Sequence, residues 1–246
     1  DDGPVLVDDQ FAPLAPKIEA AVRALQDRPV RFVINTHWHG DHTGGNEPFG
    51  KGGALIVAHE NVRARMSTKQ FMAAFGREVP PAPPDALPVV TFDDGVTLHW
   101  NGEEIAVEHV DPAHTDGDSH VWFRRADVVH AGDTYVAGMF PFVDVSSGGT
   151  LDGVIRSADR LLAGAGPETV VVPGHGPLSN AAELRAWRDM VVTVRDRVKA
   201  AQAAGKSLEA FQAERPLADL EPKYGGGFIS ADRFLAILWA HLAPAQ

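Results

Sequence analysis

The sequence predicts a mixed α/β fold in which short buried strands alternate with amphipathic helices. Residues 30–35 and 54–58 are short, largely apolar runs, which is typical of buried strands. Residues 16–26 instead carry apolar side chains at the spacing of one helix face. From about residue 180 onwards the pattern is mostly helical, so we expect most strands to precede this part of the chain.

Turn and cap residues mark the boundaries of the remaining elements. Asn101-Gly102 between two alternating segments predicts a β-hairpin. Asn180 is a typical N-cap, and Glu183 three residues later completes a capping pattern. The predicted strands are 4–8, 30–35, 54–58, 89–92, 96–100, 105–110, 120–123, 128–131 and 169–172. The predicted helices are 16–26, one from 61, one from 150, one from 180 towards 205, 206–215 and 230–242.

Residues 67–88 depart from this alternation. Phe71 lies in an apolar group that is followed by five prolines between residues 80 and 88. Because proline has no N–H donor for a sheet ladder, we expect a loop or short helix followed by an extended segment. Phe71 can line a substrate pocket or pack this loop onto the body, and the sequence favours neither role.

Composition excludes several classes of function. The 246 residues, 44% of them hydrophobic, suffice for one large domain or two small ones, and we expect a single domain over residues 1–246. No run of eighteen apolar residues occurs, so we expect no membrane span. The formal charge of −11 repels phosphate backbones, so we expect no nucleic-acid partner. The absence of cysteine excludes disulfides and thiolate ligands, but it does not distinguish a periplasmic or secreted protein from a cytoplasmic one.

Residues 36–42 hold the densest cluster of chemically active side chains. Three histidines and one aspartate follow the predicted strand 30–35 directly, on a loop at its carboxyl end. Because the strand fixes where the loop begins, a compact loop here can direct several side chains at one point. Imidazole nitrogens together with a carboxylate suit a divalent ion such as zinc. The cluster therefore predicts a metal site.

The order of residues 37–42, His-x-His-x-Asp-His, resembles the signature of the metallo-β-lactamase superfamily. Further matches follow in the order of that family: His114 after Pro112-Ala113, Asp133 in residues 130–134, and His175 between two glycines. The resemblance implies an αβ/βα sandwich of two mixed sheets flanked by helices. It also implies two metal sites. The first takes His37, His39 and His114, the second takes Asp41, His42 and His175, and Asp133 bridges them.

The resemblance further implies a di-zinc hydrolase. A metal-bound hydroxide would attack the carbonyl of a small ester, thioester, lactone or amide, because zinc lowers the pKa of bound water to about 7. Asp41 would orient this nucleophile or carry a proton to the leaving group. Iron or manganese would also fit the second site. A phosphodiesterase of the same superfamily and a metal-binding module without catalysis stay open as alternatives.

Two features set the chain apart within the family it resembles. Asp133 stands where one group of true β-lactamases has cysteine, so we expect weak β-lactamase activity at most. The family has further strands before the position of Pro4, so either upstream strands are missing or a neighbouring copy in a homodimer covers this sheet edge. The expected partner is a small-molecule substrate. The candidate substrate contacts are aromatic residues near the predicted ligands: Trp38, Phe71, Tyr135, Phe140 and Phe142.

Overall fold

The computed structural model describes residues 2–242. Asp1 and residues 243–246, which belong to the predicted domain 1–246, lie outside the described residues. The chain divides into two compact units: Asp1–Val110 with Gly117–His130, and Asp111–Asp116 with Ala131–Gln246. A single domain over the whole chain stays a prediction. Within residues 2–242, no helix has both the length and the apolar character needed to cross a bilayer.

A parallel sheet lies at the centre of the first unit. Its four strands lie side by side in sequence order, and all neighbouring pairs are parallel. Val33 and Val57 are fully buried, as expected for strands that are covered on both faces. The strands are β1 (Val5–Val7), β2 (Phe32–Ile34), β3 (Leu55–His59) and β6 (Val90–Phe92), and the helices are α1 (Ala15–Leu25), α2 (Gly40–Thr43), α3 (Asn46–Lys51) and α4 (Glu60–Met66).

Four further strands of this unit pair antiparallel in sequence order. They are β7 (Gly95–Trp100), β8 (Glu103–His109), β9 (Ser119–Phe123) and β10 (Val128–His130). Asn101 and Gly102 adopt left-handed φ values of 52° and 74°, which is the geometry of a tight two-residue hairpin. The predicted hairpin is therefore confirmed. Val107 and Val121 of these strands share a buried core with Ile34 of the parallel sheet.

The segment 67–88 contains a hairpin that the sequence did not predict. Strands β4 (Gln70–Met72) and β5 (Arg77–Val79) pair antiparallel around a 3₁₀ turn at Ala73–Phe75. The expectation of a loop or short helix was wrong here, because Gly76 takes a left-handed φ of 57° and lets the chain reverse. The proline-rich part after Val79 forms no strand before β6, as predicted.

The second unit is mainly helical. Its elements are α5 (Leu151–Gly164), β11 (Val170–Val172), α6 (Ala181–Ala203), α7 (Leu208–Ala213), α8 (Glu221–Tyr224) and α9 (Ala231–His241). Asn180 caps α6, because its Oδ1 accepts the N–H groups of Ala182 and Glu183 at 3.0 Å each. Helix α8 was not predicted, since a single turn has no periodicity to detect.

Gly153 in α5 offers a test of packing against helix propensity. Alanine is the better helix former by about 1 kcal/mol. A Cβ at this position would however lie 1.7 Å from the carbonyl oxygen of Pro112. We expect Gly153→Ala to lower the free energy of unfolding by about 2 kcal/mol or more in urea denaturation. Gly226→Ala is the matched control, since a Cβ there meets no atom within 4 Å. Equal free energies of unfolding for the two variants would contradict the conclusion that the contact with Pro112 requires glycine at position 153.

Candidate functional site

The segment that carries the histidine cluster is fixed by amide side chains. It leaves β2 at Asn35, whose Nδ2 donates to the carbonyl oxygen of His42 at 3.2 Å and to Asn46 Oδ1 at 3.0 Å. Asn46 Nδ2 returns a hydrogen bond of 2.9 Å to Asn35 Oδ1. Both asparagines are fully buried. Because this reciprocal pair spans the segment, the start and the end of the cluster are held at one place.

Three imidazoles of the cluster are packed against one another in the first unit. His37, His39 and His42 are 0%, 5% and 3% exposed. The ring of His37 lies 4.8 Å from that of His39 and 4.1 Å from that of His42, between centroids. Asp41 Oδ2 lies 3.5 Å from His42 Nε2. The expectation of a plain loop was wrong for Asp41 and His42, which lie on the one-turn helix α2 that starts directly after His39.

A carboxylate that the sequence analysis missed orients this cluster. Asp8 follows β1, which pairs in parallel with β2, so Asp8 lies at the same sheet edge as residues 35 and 36. Its Oδ1 accepts the backbone N–H of Thr36 at 2.8 Å. Its Oδ2 lies 2.8 Å from Thr36 Oγ1 and 2.7 Å from His42 Nδ1. An aspartate at the end of the neighbouring parallel strand was the only signal available in the sequence.

These contacts determine which nitrogen of the His37 and His42 rings carries the proton and which carries the lone pair. Thr36 Oγ1 donates its proton to Asp8, so His37 Nδ1, 3.1 Å from Thr36 Oγ1, acts as the donor in that contact. His42 Nδ1–H donates to the Asp8 carboxylate in the same way. In both rings Nε2 is then the nitrogen with the lone pair. A hydrogen bond from the opposite ring nitrogen is the usual support of a metal-binding histidine.

Asp9 is a second buried carboxyl group beside this cluster. It is 1% exposed, and its Oδ1 accepts the N–H of Gly45 at 2.8 Å. Burial raises the pKa of Asp9 to about 8, although the hydrogen bond from Gly45 lowers the pKa. Only glycine fits at position 45, because a Cβ would lie 2.5 Å from the Asp9 carbonyl oxygen. Asp9 is therefore protonated near neutral pH.

The second unit brings the other three predicted ligands together. Asp133 Oδ2 lies 3.6 Å from His114 Nε2 and 3.3 Å from His175 Nε2. His114 is 1% exposed, and its Nδ1–H donates to the Phe142 carbonyl at 2.7 Å, so its Nε2 carries the lone pair. A Cβ at Gly174 would lie 2.0 Å from Asp133 Oδ1, so glycine is required for the His175 segment to approach.

The aromatic residues predicted to contact substrate are mostly buried. Trp38, Tyr135 and Phe140 are 4%, 1% and 2% exposed. Trp38 packs against Val62 and Met66, and Tyr135 OH lies 2.7 Å from Ser179 Oγ. Phe140 stacks on Phe234 at 5.5 Å and Phe142 is 8% exposed, whereas Phe71 is 56% exposed. Burial leaves little surface of Trp38, Tyr135 and Phe140 for a ligand, and the role of the five aromatic residues as substrate contacts stays a prediction.

Histidines whose Nδ1 atoms are held by hydrogen bonds, at the edge of a sheet, are typical of metal-binding proteins. A family model described as "Metallo-beta-lactamase superfamily" matches residues 4–175. This match covers more than half of the chain, so the chain belongs to the metallo-β-lactamase superfamily. The family that the ordered motifs predicted is thereby confirmed.

Solved structures of metallo-β-lactamases share the fold. A metallo-β-lactamase from Pontibacter korlensis is 22% identical, with 78% of this chain and 83% of that chain covered and a TM-score of 0.60. The BLEG-1 B3 enzyme is 18% identical, with 78% and 90% covered and a TM-score of 0.65. The DIM-1 enzyme is 18% identical, with 78% and 83% covered and a TM-score of 0.62. These likenesses confirm the predicted fold class.

The raised pKa of Asp9 predicts how stability depends on pH. The carboxyl group ionises near pH 3.8 in the unfolded chain but near 8 in the folded one, so folding retains a proton between these values. The contribution of Asp9 to stability is therefore lost as the pH rises from about 4 to 8, by about 1.4 kcal/mol per pH unit. Asp9→Asn should remove this part of the slope, measured by urea denaturation of metal-free protein at pH 5 to 8.

Asp27→Asn is the control for this measurement, because it makes the same chemical change in a side chain that is 89% exposed. A wild-type protein and an Asp9→Asn variant that lose stability in parallel over this range would show that Asp9 ionises normally in the folded state.

Proposed function

We propose that this protein is a metal-dependent hydrolase that uses two ions, zinc by default, to cleave a small ester, thioester, lactone or amide. The observation that carries the proposal is the buried cluster of His37, His39 and His42 in a chain of the metallo-β-lactamase superfamily. The Nδ1 atoms of His37 and His42 are engaged by Thr36 and Asp8, which prepares the Nε2 atoms for a cation.

The donor set fits zinc. Three sets of histidine and aspartate residues offer the donor atoms that can hold a metal ion. They are His37 with His39 and His114, His37 with His42 and Asp133, and Asp41 with His42 and His175. We assign the first group to one ion, the last group to a second ion, and Asp133 to the position between them. A carboxylate has two oxygens, which suits it to contact both. Iron or manganese would suit the group that contains Asp41.

Residues of the chain itself orient the reactants in this proposal. When bound, zinc lowers the pKa of water to about 7 and polarises a carbonyl group. In this proposal Asp41, whose side chain is 33% exposed beside the buried His42, accepts a proton from the attacking water and passes it to the leaving oxygen, sulfur or nitrogen. Water adds to the carbonyl carbon, the bond to the leaving group breaks, and the proton leaves with that group.

Asp133 bears on the substrate class. The solved relatives are named metallo-β-lactamases, which makes β-lactams one substrate to test. The chain has no cysteine, so no thiolate reaches the metals, and a carboxylate at position 133 adds a hard oxygen donor instead. We therefore expect weak turnover of nitrocefin beside faster turnover of simple esters or lactones.

Metal content and hydrolysis measured together test the proposal. Purified protein should carry about two zinc ions per chain by elemental analysis and should hydrolyse members of a panel of p-nitrophenyl esters, thioesters, lactones and nitrocefin. EDTA should abolish turnover and added zinc should restore it. Asp41→Ala should lower kcat by about 100-fold or more with unchanged circular dichroism. His99→Ala is the control, because His99 is exposed and outside the motifs.

Other outcomes distinguish the alternatives. Turnover of bis-p-nitrophenyl phosphate without turnover of any carbonyl substrate would favour a phosphodiesterase. Zinc binding without turnover of either substrate type would favour a binding module, and a protein that retains no metal would overturn the proposal.

Asp8 predicts a separate effect on metal affinity. Removal of this carboxylate leaves the Nδ1–H of His42 without its acceptor and disturbs Thr36. We expect Asp8→Ala to weaken zinc binding by about 10- to 100-fold in a competition titration with a chromogenic chelator. Asp27→Ala, which removes an exposed carboxylate, should leave the affinity unchanged. Equal affinities for both variants would show that Asp8 has no role in metal binding.

A further inference from the structure

Phe228 is a large apolar side chain that the fold fixes in place but leaves in solvent. Its side chain is 73% exposed, whereas its neighbour Ile229 is 1% exposed. Ser230, the next residue, caps α9 by accepting the N–H of Arg233 at 3.3 Å. The position of Phe228 is therefore set by a buried anchor and a helix cap that follow it directly.

Glycine on the other side of Phe228 adds a third anchor. A Cβ at Gly227 would lie 2.5 to 2.8 Å from the side chain of Met139, so this backbone packs closely on Met139. Phe140 N–H donates to the Tyr224 carbonyl at 3.0 Å and ties the same two segments together. Because the segment is held on both sides, the exposure of the Phe228 ring is a property of the fold and not of a loose loop.

Aromatic contacts connect Phe228 to a candidate metal ligand of the same unit. The Phe228 ring meets the Phe142 ring edge to face, with centroids 6.4 Å apart. Phe142 in turn lies edge to face with His114 at 5.6 Å, and its carbonyl oxygen accepts the His114 Nδ1–H. These two contacts limit the distance from His114 to Phe228 to a span that a medium-length acyl chain or an arylalkyl group can cover.

We propose that Phe228 is a specificity-determining residue that binds an apolar acyl or aryl group of the substrate. This inference rests on the proposed hydrolase function, since it identifies the substrate class of that site. When a ligand covers a fixed and exposed aromatic ring, apolar surface is removed from water. Such a ring therefore favours ligands with an apolar part. Phe142, being buried, supports the Phe228 ring and links it to His114.

The test compares acyl lengths. In zinc-loaded protein we expect p-nitrophenyl octanoate to have a higher kcat/KM than the acetate ester. Phe228→Ala should lower kcat/KM for the octanoate about tenfold, mainly through KM, and change the acetate value less than twofold. Phe228→Leu should retain most of the preference. Leu25→Ala, which removes a 92% exposed apolar side chain from the first unit, should change neither value.

Binding of the carboxylate products separates this inference from the hydrolase proposal. Octanoate should bind the zinc-loaded protein more tightly than acetate in calorimetry, and Phe228→Ala should remove this difference, whether or not any ester is turned over. The same difference in wild type and variant would overturn the inference, as would the absence of any preference for octanoate in the wild type. A change of oligomeric state on Phe228→Ala would also overturn it, because Phe228 would then contact a second copy of the chain.

Discussion

The carboxylate of Asp8 is the interaction on which the histidine cluster depends. It lies at the carboxyl edge of a parallel sheet, beside the strand that leads into the cluster, because β1 and β2 run in register. From there it accepts hydrogen bonds from the backbone and hydroxyl of Thr36 and from the ring of His42. One fixed acceptor thus determines the tautomer of two imidazoles, directly for His42 and through Thr36 for His37. Parallel pairing of two three-residue strands makes this possible.

The parts of the site that the sequence predicted are those with a local pattern. His37, His39 and His42 lie within six residues of sequence. Gly174 directly before His175 indicates a close approach of the backbone. Asp8 has no such pattern, because its partners lie 28 and 34 residues away and depend on strand pairing. The same reason explains the hairpin of β4 and β5, whose pairing follows from one left-handed glycine that proline-rich surroundings obscured.

The surroundings of the candidate ligands are closely packed and include a buried carboxyl group. Gly45, Gly149 and Gly174 each bring backbone to within a distance that excludes a Cβ, next to Asp9, to the His114 carbonyl and to Asp133 respectively. Asp9 lies in the interior, where burial raises its pKa to about 8. The free energy of unfolding therefore falls as the pH rises from about 4 to 8, because the unfolded chain is free to ionise this carboxyl group. A buried carboxyl group that lowers stability as the pH rises, and backbone positions that accept only glycine, thus lie beside the candidate ligands, as is common where side chains must be held for chemistry.

Trp38 shows how apolar packing positions polar ligands. Its ring is buried against Val62 and Met66, while the flanking His37 and His39 rings lie 4.8 Å apart from each other. The Trp38 ring also meets the His39 ring edge to face, with centroids 4.9 Å apart, so the buried indole supports this imidazole from the side. The hydrophobic core therefore supports the His39 imidazole through Trp38, whose indole lies between the apolar cluster and this candidate ligand.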